Sequence, residues 1–542
     1  MVRSAAPLCV ICVIPMLYHA GRWRRLACPS VSVILIYGRK EKFEVFEKSD
    51  AFKYIEEKKS VFTSASDYLW EQAELAFKEY KSAARLEEVL QEEGFAVETG
   101  LADIPTAFRA VYGSGHPVIG ILGEFDALAG LSQEGGVAVR QPRITGNKGA
   151  EKSGDASDGS QSEDNDAGHG CGHNCLGSGA LAGAVGAKKF LENHPEMSGT
   201  IIYFGCPGEE GKSGKAFMAR AGVFDGVDCA LTWHSYGTNN VFSGSTLAVI
   251  NMIFKFKGVA AHAAVVPHLG RSALDAAELM NVGVQFLREH MPDDARVHYA
   301  FLDAGGKAPN VVQERAEVIY KVRSPRLSDV IELAARVRRI AEGAAMMTDT
   351  ELSVAYHGAT SNTIPNEVLE RVLWENMDAI GVPEYTAQEE DFAKAIVASY
   401  EMPEKAVDLA ATLSPKWKKL LEAHYEAHGV GINNFVLPYD HWEHPIPAST
   451  DVGDVSWLCP TAMFFAQCAA AKIPEHSWQY VACNNTSIAH KGLIYAGKIL
   501  AGAAIDLLMS PELVDKAKTE FEGRLDGEKY QCPLHPDEKP RL

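Results

Sequence analysis

The sequence lacks the basic charge that binding to polyanions requires. Its 52 lysines and arginines are outnumbered by 71 aspartates and glutamates, which gives a formal net charge of −19. No basic face is therefore available to neutralise phosphate groups. This balance argues against nucleic acid and against an anionic membrane surface as partners.

Paired cysteines and long apolar runs are scarce as well. The chain has 11 cysteines, an odd number spread thinly over 542 residues. This spacing does not match a disulfide framework and predicts a reducing, cytoplasmic compartment. The apolar run at residues 5–17 is shorter than the roughly 20 residues that cross a bilayer. Residues 1–45 are therefore predicted as an N-terminal appendage, with a signal or targeting leader as the alternative.

What is present describes an ordinary globular protein. Apolar residues make up 46% of the chain and aromatic residues 9%, which is usual for soluble domains. A chain of 542 residues is too long for one compact core. More than one domain is therefore expected.

Alternating strand and helix patterns predict an α/β fold. Strands are predicted at residues 108–112, 118–122, 199–204 and 228–232, and helices at residues 64–93, 180–191 and 215–221. This order favours a mainly parallel sheet with helices on both faces. Further helices are predicted at residues 367–377, 391–427 and 488–508.

A second unit interrupts this pattern. Between residues 247 and 356 the periods follow the order strand, helix, strand, strand, helix, strand, which is the βαββαβ order of a split-βαβ α+β domain. The predicted organisation is an appendage at 1–45, a first catalytic part at 46–246, an inserted domain at 247–360, a second catalytic part at 361–510 and a polar tail at 511–542.

Residues 135–167 differ in composition from the segments around them. They are rich in glycine, serine and acidic residues and contain no aromatic residue. Such a segment buries too little apolar surface to offset its ordering entropy. It is predicted as a mobile loop, with regulation by phosphorylation as the alternative.

The stretch at residues 168–190, GHGCGHNCLGSGALAGAVGAKKF, concentrates side chains that bind metals. His169, Cys171, His173 and Cys175 alternate just before a helix of small residues. Four ligands so close in sequence could hardly surround one tetrahedral ion without contorting the backbone. A closed structural zinc site is therefore disfavoured, and an open site shared with other segments is favoured.

Two neighbouring glutamates and two later histidines extend this candidate set. A hydrolytic zinc site needs several protein ligands, an open position for water and a carboxylate to take the proton of that water. These groups are available from Cys171, His173, Glu209, Glu210, His234 and His476. Adjacent Glu209 and Glu210 point in different directions, so one can bind metal while the other stays free as a base. Taken singly, a histidine such as His234 is more often a structural residue than a ligand, and paired glutamates are usually solvated, but the combination favours a metal site.

Several motifs follow one another in a family-specific order. They are HGCGHN, GCPGEEG with FMARAGVFD, TWHS, HAAVVPHLGRSALDAAELMN, GGKAPNVVQ, STDVGDVSW, and HSWQ with AHKG. Together they resemble the M20 metallopeptidases, in the amidohydrolase branch that contains the B-type subunit of aminobenzoyl-glutamate hydrolase. The resemblance covers residues 64–508.

The resemblance implies a Rossmann-like zinc-exopeptidase catalytic domain with the α+β unit as a dimerisation lid. It also implies two divalent metal ions, zinc or manganese, and a homodimer formed through the lid. Carried over by motif, the metal ligands are Cys171, His173, Glu210, His234 and His476. Glu209 is then the general base, and His169 and Cys175 drop out of the ligand set.

The lid adds residues that only the resemblance picks out. His262 of AHAA matches the family histidine that reaches into the active site of the partner protomer, and Asn310 of PNVV matches a lid asparagine near the substrate. Arg323 and Arg271 are candidates for binding a substrate carboxylate through paired hydrogen bonds. The alternative for both arginines is a solvated surface position.

The function that the resemblance implies is hydrolysis of the amide bond in small N-acyl amino acids of the aminobenzoyl-glutamate type. Asn174 stands where much of the wider family has aspartate, and Gly208 and Lys212 alter the loop around the glutamates. These departures leave a dipeptidase for β-alanyl-lysine-type substrates as an alternative. A relative that binds metal without catalysis is a further alternative.

Overall fold

The computed structural model describes residues 17–19, 22–24, 48–143, 166–401 and 408–541. The chain forms two units, Met1–Glu47 and Lys48–Leu542. In the first unit, Leu17–His19 (β1) and Arg22–Arg24 (β2) pair as antiparallel strands. Most of the predicted appendage at 1–45, and residues 144–165 of the predicted loop at 135–167, lie outside the described residues.

The second unit alternates helices and strands. Its helices are Ser49–Glu57 (α1), Lys59–Gln72 (α2), Tyr80–Glu92 (α3), His173–Asn193 (α4), Glu209–Lys212 (α5), Gly214–Arg220 (α6), Ala273–Leu287 (α7), Leu327–Thr348 (α8), Glu367–Ile380 (α9), Ala387–Ala398 (α10), Leu409–Leu413 (α11), Pro415–His428 (α12), Val452–Ser456 (α13), Trp478–Cys483 (α14), Ser487–Met509 (α15) and Pro511–Leu525 (α16). Its strands are Ala96–Thr99 (β3), Phe108–Ser114 (β4), Val118–Glu124 (β5), Gly199–Cys206 (β6), Cys229–Tyr236 (β7), Asn240–Phe242 (β8), Ala248–Lys257 (β9), Arg296–Asp303 (β10), Arg315–Ser324 (β11), Glu351–Thr360 (β12) and Thr461–Gln467 (β13).

The main sheet has seven strands in the order β3-β4-β6-β5-β7-β13-β8. The four central strands, β6, β5, β7 and β13, are parallel, whereas the strands outside them pair antiparallel. The predicted parallel sheet thus corresponds to the central four strands of the main sheet. The carboxyl ends of these central strands meet at one edge, where sites form in α/β sheets.

Two long helices pack against each other over this sheet. Helix α4 is rich in glycine and alanine, and a Cβ added to Gly183 would lie 2.6 Å from Leu500 Cβ of α15. Helix α15 is long and apolar enough to cross a membrane by composition, yet 83% of its most apolar window is buried inside the protein. The helix predicted at 488–508 is therefore a core helix here.

The inserted domain, called the lid domain and spanning residues 248–360, has the predicted βαββαβ order. Its four strands form an antiparallel sheet in the order β10-β11-β9-β12. Helices α7 and α8 pack on one face of this sheet, over side chains such as Val318, Tyr320 and Phe254. The predicted two-part architecture is confirmed.

Two helix predictions are wrong in their extent. The single helix predicted for residues 64–93 is interrupted at Ala73, whose φ is 42°. The Glu74 side chain then accepts hydrogen bonds from the backbone N–H groups of Lys81 and Ser82, which caps α3 and favours the break. The helix predicted for residues 391–427 is also divided, into α10, α11 and α12, with residues 402–407 outside the described part.

The polar tail predicted at 511–542 is folded onto the protein. Val514 and Ala517 of α16 are buried. They form a narrow apolar face on the helix, which the high mean polarity of the segment conceals in the sequence. Residues 526–541 follow without helix or strand and are called the C-terminal strap. Glu538 of this strap accepts a hydrogen bond from the Gly358 N–H of β12 at 2.9 Å. Its carbonyl accepts another from Arg220 of α6 at 2.7 Å.

Candidate metal centre

The candidate site begins in the tight turn before α4. Gly172 has a φ of 76°, and a Cβ there would lie 2.5 Å from Ser235 Oγ, so only glycine fits without strain. This turn presents Cys171 before the helix and His173 in its first turn. The Cys171 Sγ lies 3.5 Å from His234 Nε2.

His173 is oriented by an aspartate that follows β5. Its Nδ1 lies 2.9 Å from Asp126 Oδ1, which fixes the ring and leaves Nε2 free as a ligand atom. Burial alone would lower the pKa of His173, but the hydrogen bond to Asp126 and the charges of Asp126 and Glu124 hold it well above its usual value. Asp126 also accepts a hydrogen bond from the Glu210 N–H at 2.8 Å.

His234 lies near the end of β7, beside Cys171. Its Nδ1 donates to the Ser235 carbonyl at 2.8 Å, which assigns the proton to Nδ1 and leaves Nε2 to face the thiol. The Glu475 Oε1 lies 3.3 Å from the same Nδ1. This orientation leaves Nε2 of His234 available as a ligand atom.

Glu209 and Glu210 lie on a loop with an unusual backbone. Gly208, Gly211 and Ser213 have φ values of 68°, 86° and 59°, so the two glutamate side chains diverge. Burial and the neighbouring charges of Glu124 and Glu210 raise the pKa of Glu209 well above its usual value. Burial acts in the same direction on Glu210, but His476 and His173 outweigh it and lower its pKa.

His476 reaches the site from the loop before α14. Its φ is 59°, and its backbone N–H donates to the Gly170 carbonyl at 2.7 Å. The Nε2 atom lies 3.3 Å from Glu210 Oε1, and this glutamate raises the pKa of His476. The far end of the sequence thus meets the turn that carries Cys171.

These side chains form groups suited to hold metal ions. In each of three groups, the ligand atoms lie within 4.8 Å of one another: Cys171 with His173 and His234, Cys171 with Glu210 and His476, and Glu124 with His173 and Glu209. The buried atoms His173 Nε2 and Glu210 Oε1 make no well-aligned hydrogen bond, although each lies 3.3 Å from one charged group, Glu124 Oε2 and His476 Nε2 respectively. Mixed sulfur, nitrogen and oxygen donors suit zinc and similar divalent ions. The residues therefore fit a metal centre in which two groups share the Cys171 thiolate.

Other side chains of the same stretch point elsewhere. His169 Nε2 lies 3.0 Å from the Leu69 carbonyl. Cys175 is buried, with its Sγ 3.6 Å from the Asn484 carbonyl. Asn174 donates to Ser66 Oγ at 3.0 Å. Among the described residues, the closed four-ligand zinc site is not formed.

Among the described residues, no hydrogen bond or ion pair joins the four predicted lid residues to the metal groups. His262 and Asn310 are exposed, and the Asn310 carbonyl accepts a hydrogen bond from the backbone next to His262. Arg271 is paired with Asp349 at 2.8 Å. Arg323 is half-buried, and its Nη1 donates to Ser449 Oγ at 3.0 Å. The roles predicted for these four residues stay predictions.

Sequence reasoning did not pick out four charged residues around the site. They are Glu124, Asp126, Lys215 and Asp451, all four of which are buried. The strand end at Gly123–Asp126 signals carboxylates at the sheet edge, and Asp451 lies in the STDVGDVSW motif. Lys215 carries no local signal, because its partners are distant in sequence.

A family model described as "Peptidase family M20/M25/M40" matches residues 152–482. The chain belongs to this family. It is 43% identical to the B-type subunit of p-aminobenzoyl-glutamate hydrolase from Escherichia coli strain K12, over 89% of this chain and 96% of that one. It is 24% identical to the Xaa-Arg dipeptidase of Mus musculus, over 89% of this chain and 93% of that one.

Two solved structures share the fold of this M20 chain. One is a proposed aminohydrolase from methicillin-resistant Staphylococcus aureus, 19% identical with a TM-score of 0.56, covering 85% of this chain and 100% of that one. The other is a dinuclear metal-binding peptidase of the M20 family from Bacillus subtilis, 17% identical with a TM-score of 0.50, covering 85% and 99%. The predicted family, fold class and metal-dependent amidohydrolase activity are confirmed.

Proposed function

We propose that this M20 enzyme cleaves the amide bond of small N-acyl amino acids of the aminobenzoyl-glutamate type with two divalent ions, zinc or manganese. The observation that carries the proposal is the pair of ligand groups that share Cys171, with the Glu209 carboxylate beside them. The 43% identity to one polypeptide of a p-aminobenzoyl-glutamate hydrolase supports the substrate class.

The metal-holding residues divide into two sets around the shared thiolate. His173 and His234 complete one set with Cys171, and Glu210 and His476 complete the other. Bound divalent metal supplies Lewis-acid activation of water and of the scissile carbonyl. Asp126 supports both sets, because it orients the His173 ring and holds the Glu210 backbone.

Glu209 is placed to move the proton. It takes a proton from the attacking water and returns it to the nitrogen of the leaving amine. Its raised pKa, caused by burial and by neighbouring carboxylates, suits a group that must both accept and release a proton.

Arg323 is the group on this chain best suited to hold the substrate carboxylate. The guanidinium is half-buried, its pKa is lowered by that burial, and among the described residues it pairs with no carboxylate. It donates a hydrogen bond to Ser449, two residues before Asp451. A planar guanidinium can bind a carboxylate through two parallel hydrogen bonds.

We include a homodimer through the lid in this proposal. Exposed apolar side chains cluster on α7 and on the edge strand β10: Leu279, Val282, Phe286, Tyr299, Phe301 and Leu302. An apolar edge strand beside an apolar helix is a surface that another chain can cover. Such a partner would also bring a second copy of His262 and Asn310. Phe286 is 72% accessible in this chain. Its replacement by glutamate should therefore yield monomers in light scattering.

The names of two relatives suggest an alternative assembly, a complex of two different subunits. The similar Escherichia coli protein is the B-type subunit of its hydrolase, and the A-type subunit is 30% identical to this chain over 205 residues. A complex with a different M20 chain would show two polypeptides after purification from the native source.

A cytoplasmic location also stays part of the proposal, in keeping with eight unpaired cysteines among the described residues.

A side-by-side hydrolysis screen tests the function. The metal-loaded protein is offered aminobenzoyl-glutamate, acetyl- and indolyl-amino acids and β-alanyl dipeptides, with and without a chelator. We expect cleavage of the N-acyl amino acids that the chelator abolishes and added zinc or manganese restores. Preference for the dipeptides would favour the alternative suggested by the Xaa-Arg dipeptidases. Metal binding without any turnover would favour the non-catalytic relative.

A further inference from the structure

The turn between α2 and α3 lies against the loop that carries Glu209. This loop spans residues 208–214 and is called the catalytic loop. Phe77 of the turn fills its centre: the ring is buried, and a Cβ added to Gly208 would lie 2.4 Å from the ring atom Cε1. The same ring atom would lie 3.4 Å from a Cβ added to Gly214. The catalytic loop therefore wraps around one aromatic ring.

Glu79 joins this turn to the catalytic loop through a single oxygen atom. Its Oε1 accepts hydrogen bonds from the Phe77 N–H and from the Gly208 N–H, both at 2.9 Å. The Thr106 hydroxyl donates to Oε2 at 2.9 Å, so both oxygens are engaged, and the side chain is fully buried. Gly208 directly precedes Glu209. The backbone next to the base is thus fixed by a carboxyl group 129 residues away in sequence.

The backbone of Phe77 is strained at this contact. Its φ is 65°, a rare conformation for a bulky residue. Gly208 has a φ of 68° and adopts it easily because it has no side chain. Strained backbone persists only where the surrounding contacts over-determine it, and it clusters at functional sites. The Glu79 carboxyl supplies such a contact to both residues at once.

A role in helix stability alone does not explain the Glu79 side chain. Glu79 occupies the N-cap position of α3, yet its carboxyl makes no capping hydrogen bond to that helix. Glu74 provides these bonds instead. Burial of a carboxyl group costs free energy unless hydrogen bonds compensate, and the compensating bonds of Glu79 run to Phe77, Gly208 and Thr106 rather than to α3. The side chain is therefore committed to the catalytic loop.

We propose that Glu79 is a positioning residue: it fixes the Gly208 backbone against Phe77 and thereby aims the Glu209 carboxylate at the attacking water. The inference rests on the proposed function, because it takes Glu209 to be the base. A displacement of about 1 Å at a reacting group can cost about 100-fold in rate. Glu79 therefore supports turnover without taking part in the proton transfer itself.

Glu79→Met and Glu79→Gln separate the hydrogen bonds from the bulk of the side chain. Burial and the charge of Asp126 raise the pKa of Glu79 to about 8, so glutamine closely mimics the protonated carboxyl and keeps an acceptor oxygen for both N–H groups. Methionine has a similar length and no such acceptor. We expect Glu79→Met to lower kcat, measured per metal-loaded chain, about 10- to 100-fold with KM within about 2-fold of wild type. Glu79→Gln should retain most of the wild-type kcat.

Glu389→Met is the matched control for the loss of a buried carboxyl group. Glu389 accepts hydrogen bonds from Thr386, Ser487 and Lys491, which lie at the start of α10 and on α15. This variant should lower the unfolding temperature, as Glu79→Met does, and leave kcat unchanged. Equal losses of kcat in Glu79→Met and Glu389→Met would overturn the inference, because reduced stability would then explain both. Unchanged kcat in Glu79→Met, or equal losses in Glu79→Met and Glu79→Gln, would also overturn it.

Hydrogen–deuterium exchange provides a readout that does not depend on turnover. The peptide that contains Gly208 should exchange faster in Glu79→Met than in wild type or Glu79→Gln, because the acceptor of its N–H is removed. Equal exchange in all three proteins would overturn the inference. A wild-type protein without hydrolysis would contradict the proposed function alone, and the exchange comparison would still decide whether Glu79 holds the catalytic loop.

Glu79→Asp keeps the test decisive if Glu79→Met fails to fold. Aspartate retains the carboxyl group but is one methylene shorter, so it cannot reach Phe77 and Gly208 in the same geometry. We expect kcat to fall about 10-fold with KM nearly unchanged, together with faster exchange of the catalytic loop. Wild-type kcat in a folded Glu79→Asp protein would overturn the inference.

Discussion

His173 is predicted as a metal ligand and His262 as a residue that reaches the active site of a partner protomer, and the protein holds these two histidines in opposite ways. His173 is fully buried, with one ring nitrogen fixed by Asp126. His262 is exposed on the lid, where its ring nitrogen accepts hydrogen bonds only from its own loop backbone among the described residues. The candidate metal groups are thus formed by residues of one chain, whereas His262 is exposed to solvent on the lid. A side chain that needs a second molecule must remain outside the core.

Glu209→Gln gives the largest expected effect on the metal-centre side of this comparison. Glutamine keeps the shape and removes the proton acceptor, so kcat should fall about 1,000-fold. Metal analysis should show unchanged metal content, because Glu209 is not counted among the ligands. Steady-state kinetics of the metal-loaded variant measure the loss. A variant that keeps its rate, or loses a metal ion, would show that Glu209 has another role.

Mixed dimers test whether the lid side is completed by a partner. His262→Ala and Glu209→Gln should each be nearly inactive alone. When the two are unfolded and refolded together, half of the dimers are mixed, and each mixed dimer has one intact site, which predicts about a quarter of wild-type activity. Absence of recovery, with dimers confirmed by light scattering, would place His262 in its own chain's site or outside the reaction.

Arg323→Ala should separate substrate binding from chemistry. Loss of a bidentate carboxylate contact is expected to raise KM about 10- to 100-fold with a smaller change in kcat. A substrate whose carboxylate is replaced by an amide is the control, because its KM should be high for both proteins. Equal loss with both substrates would mean that Arg323 supports the fold through Ser449 instead.

His441 provides a pH test outside both regions. Its hydrogen bond to Glu370, and a second to Glu443, raise its pKa from 6.5 to about 9. The folded state therefore holds the proton more tightly, so this stabilisation is complete below about pH 6.5 and is lost as the pH rises through about 9. Because the ring is partly open to solvent, we expect a loss of about 1 kcal/mol. Urea unfolding of wild type and His441→Gln across this range measures the difference, which should vanish in the variant.

Arg271→Ala should have the smallest effect. Its guanidinium is already paired with Asp349, whose side chain is 81% exposed. Exposed ion pairs contribute about 0–1 kcal/mol, so thermal unfolding should move little and KM should change less than about 2-fold. A large rise in KM would restore Arg271 as a substrate-binding residue. Asp349→Ala is the matched control for loss of the pair.

The regular parts of the fold could be predicted because their patterns are local. The period of residues 248–360 gives the order of its strands and helices, and the apolar run near residue 500 gives a core helix. The break at Ala73 could not be predicted, since it depends on a positive φ that Glu74 stabilises by capping the next helix. Helix propensity favours alanine, and the cap outweighs it.

The site shows the same limit. Ligand types and the adjacent glutamates are visible in the sequence, so the residues that meet in the two groups sharing Cys171 were predictable. Lys215 was not, because Glu124 and Asp451 lie 91 and 236 residues away in sequence and burial of a lysine has no sequence signature. Long-range charge pairing is decided by the tertiary fold.

The C-terminal strap has a mechanical consequence for the lid. Glu538 binds Gly358 of the lid and Arg220 of the catalytic part at once, and the Arg541 carbonyl accepts a hydrogen bond from Lys212 of the catalytic loop at 2.7 Å. Rotation of the lid away from the cleft would pull on the strap and hence on the loop that holds Glu209. The strap therefore links the lid to the loop that carries Glu209, so we expect a movement of either one to be transmitted to the other.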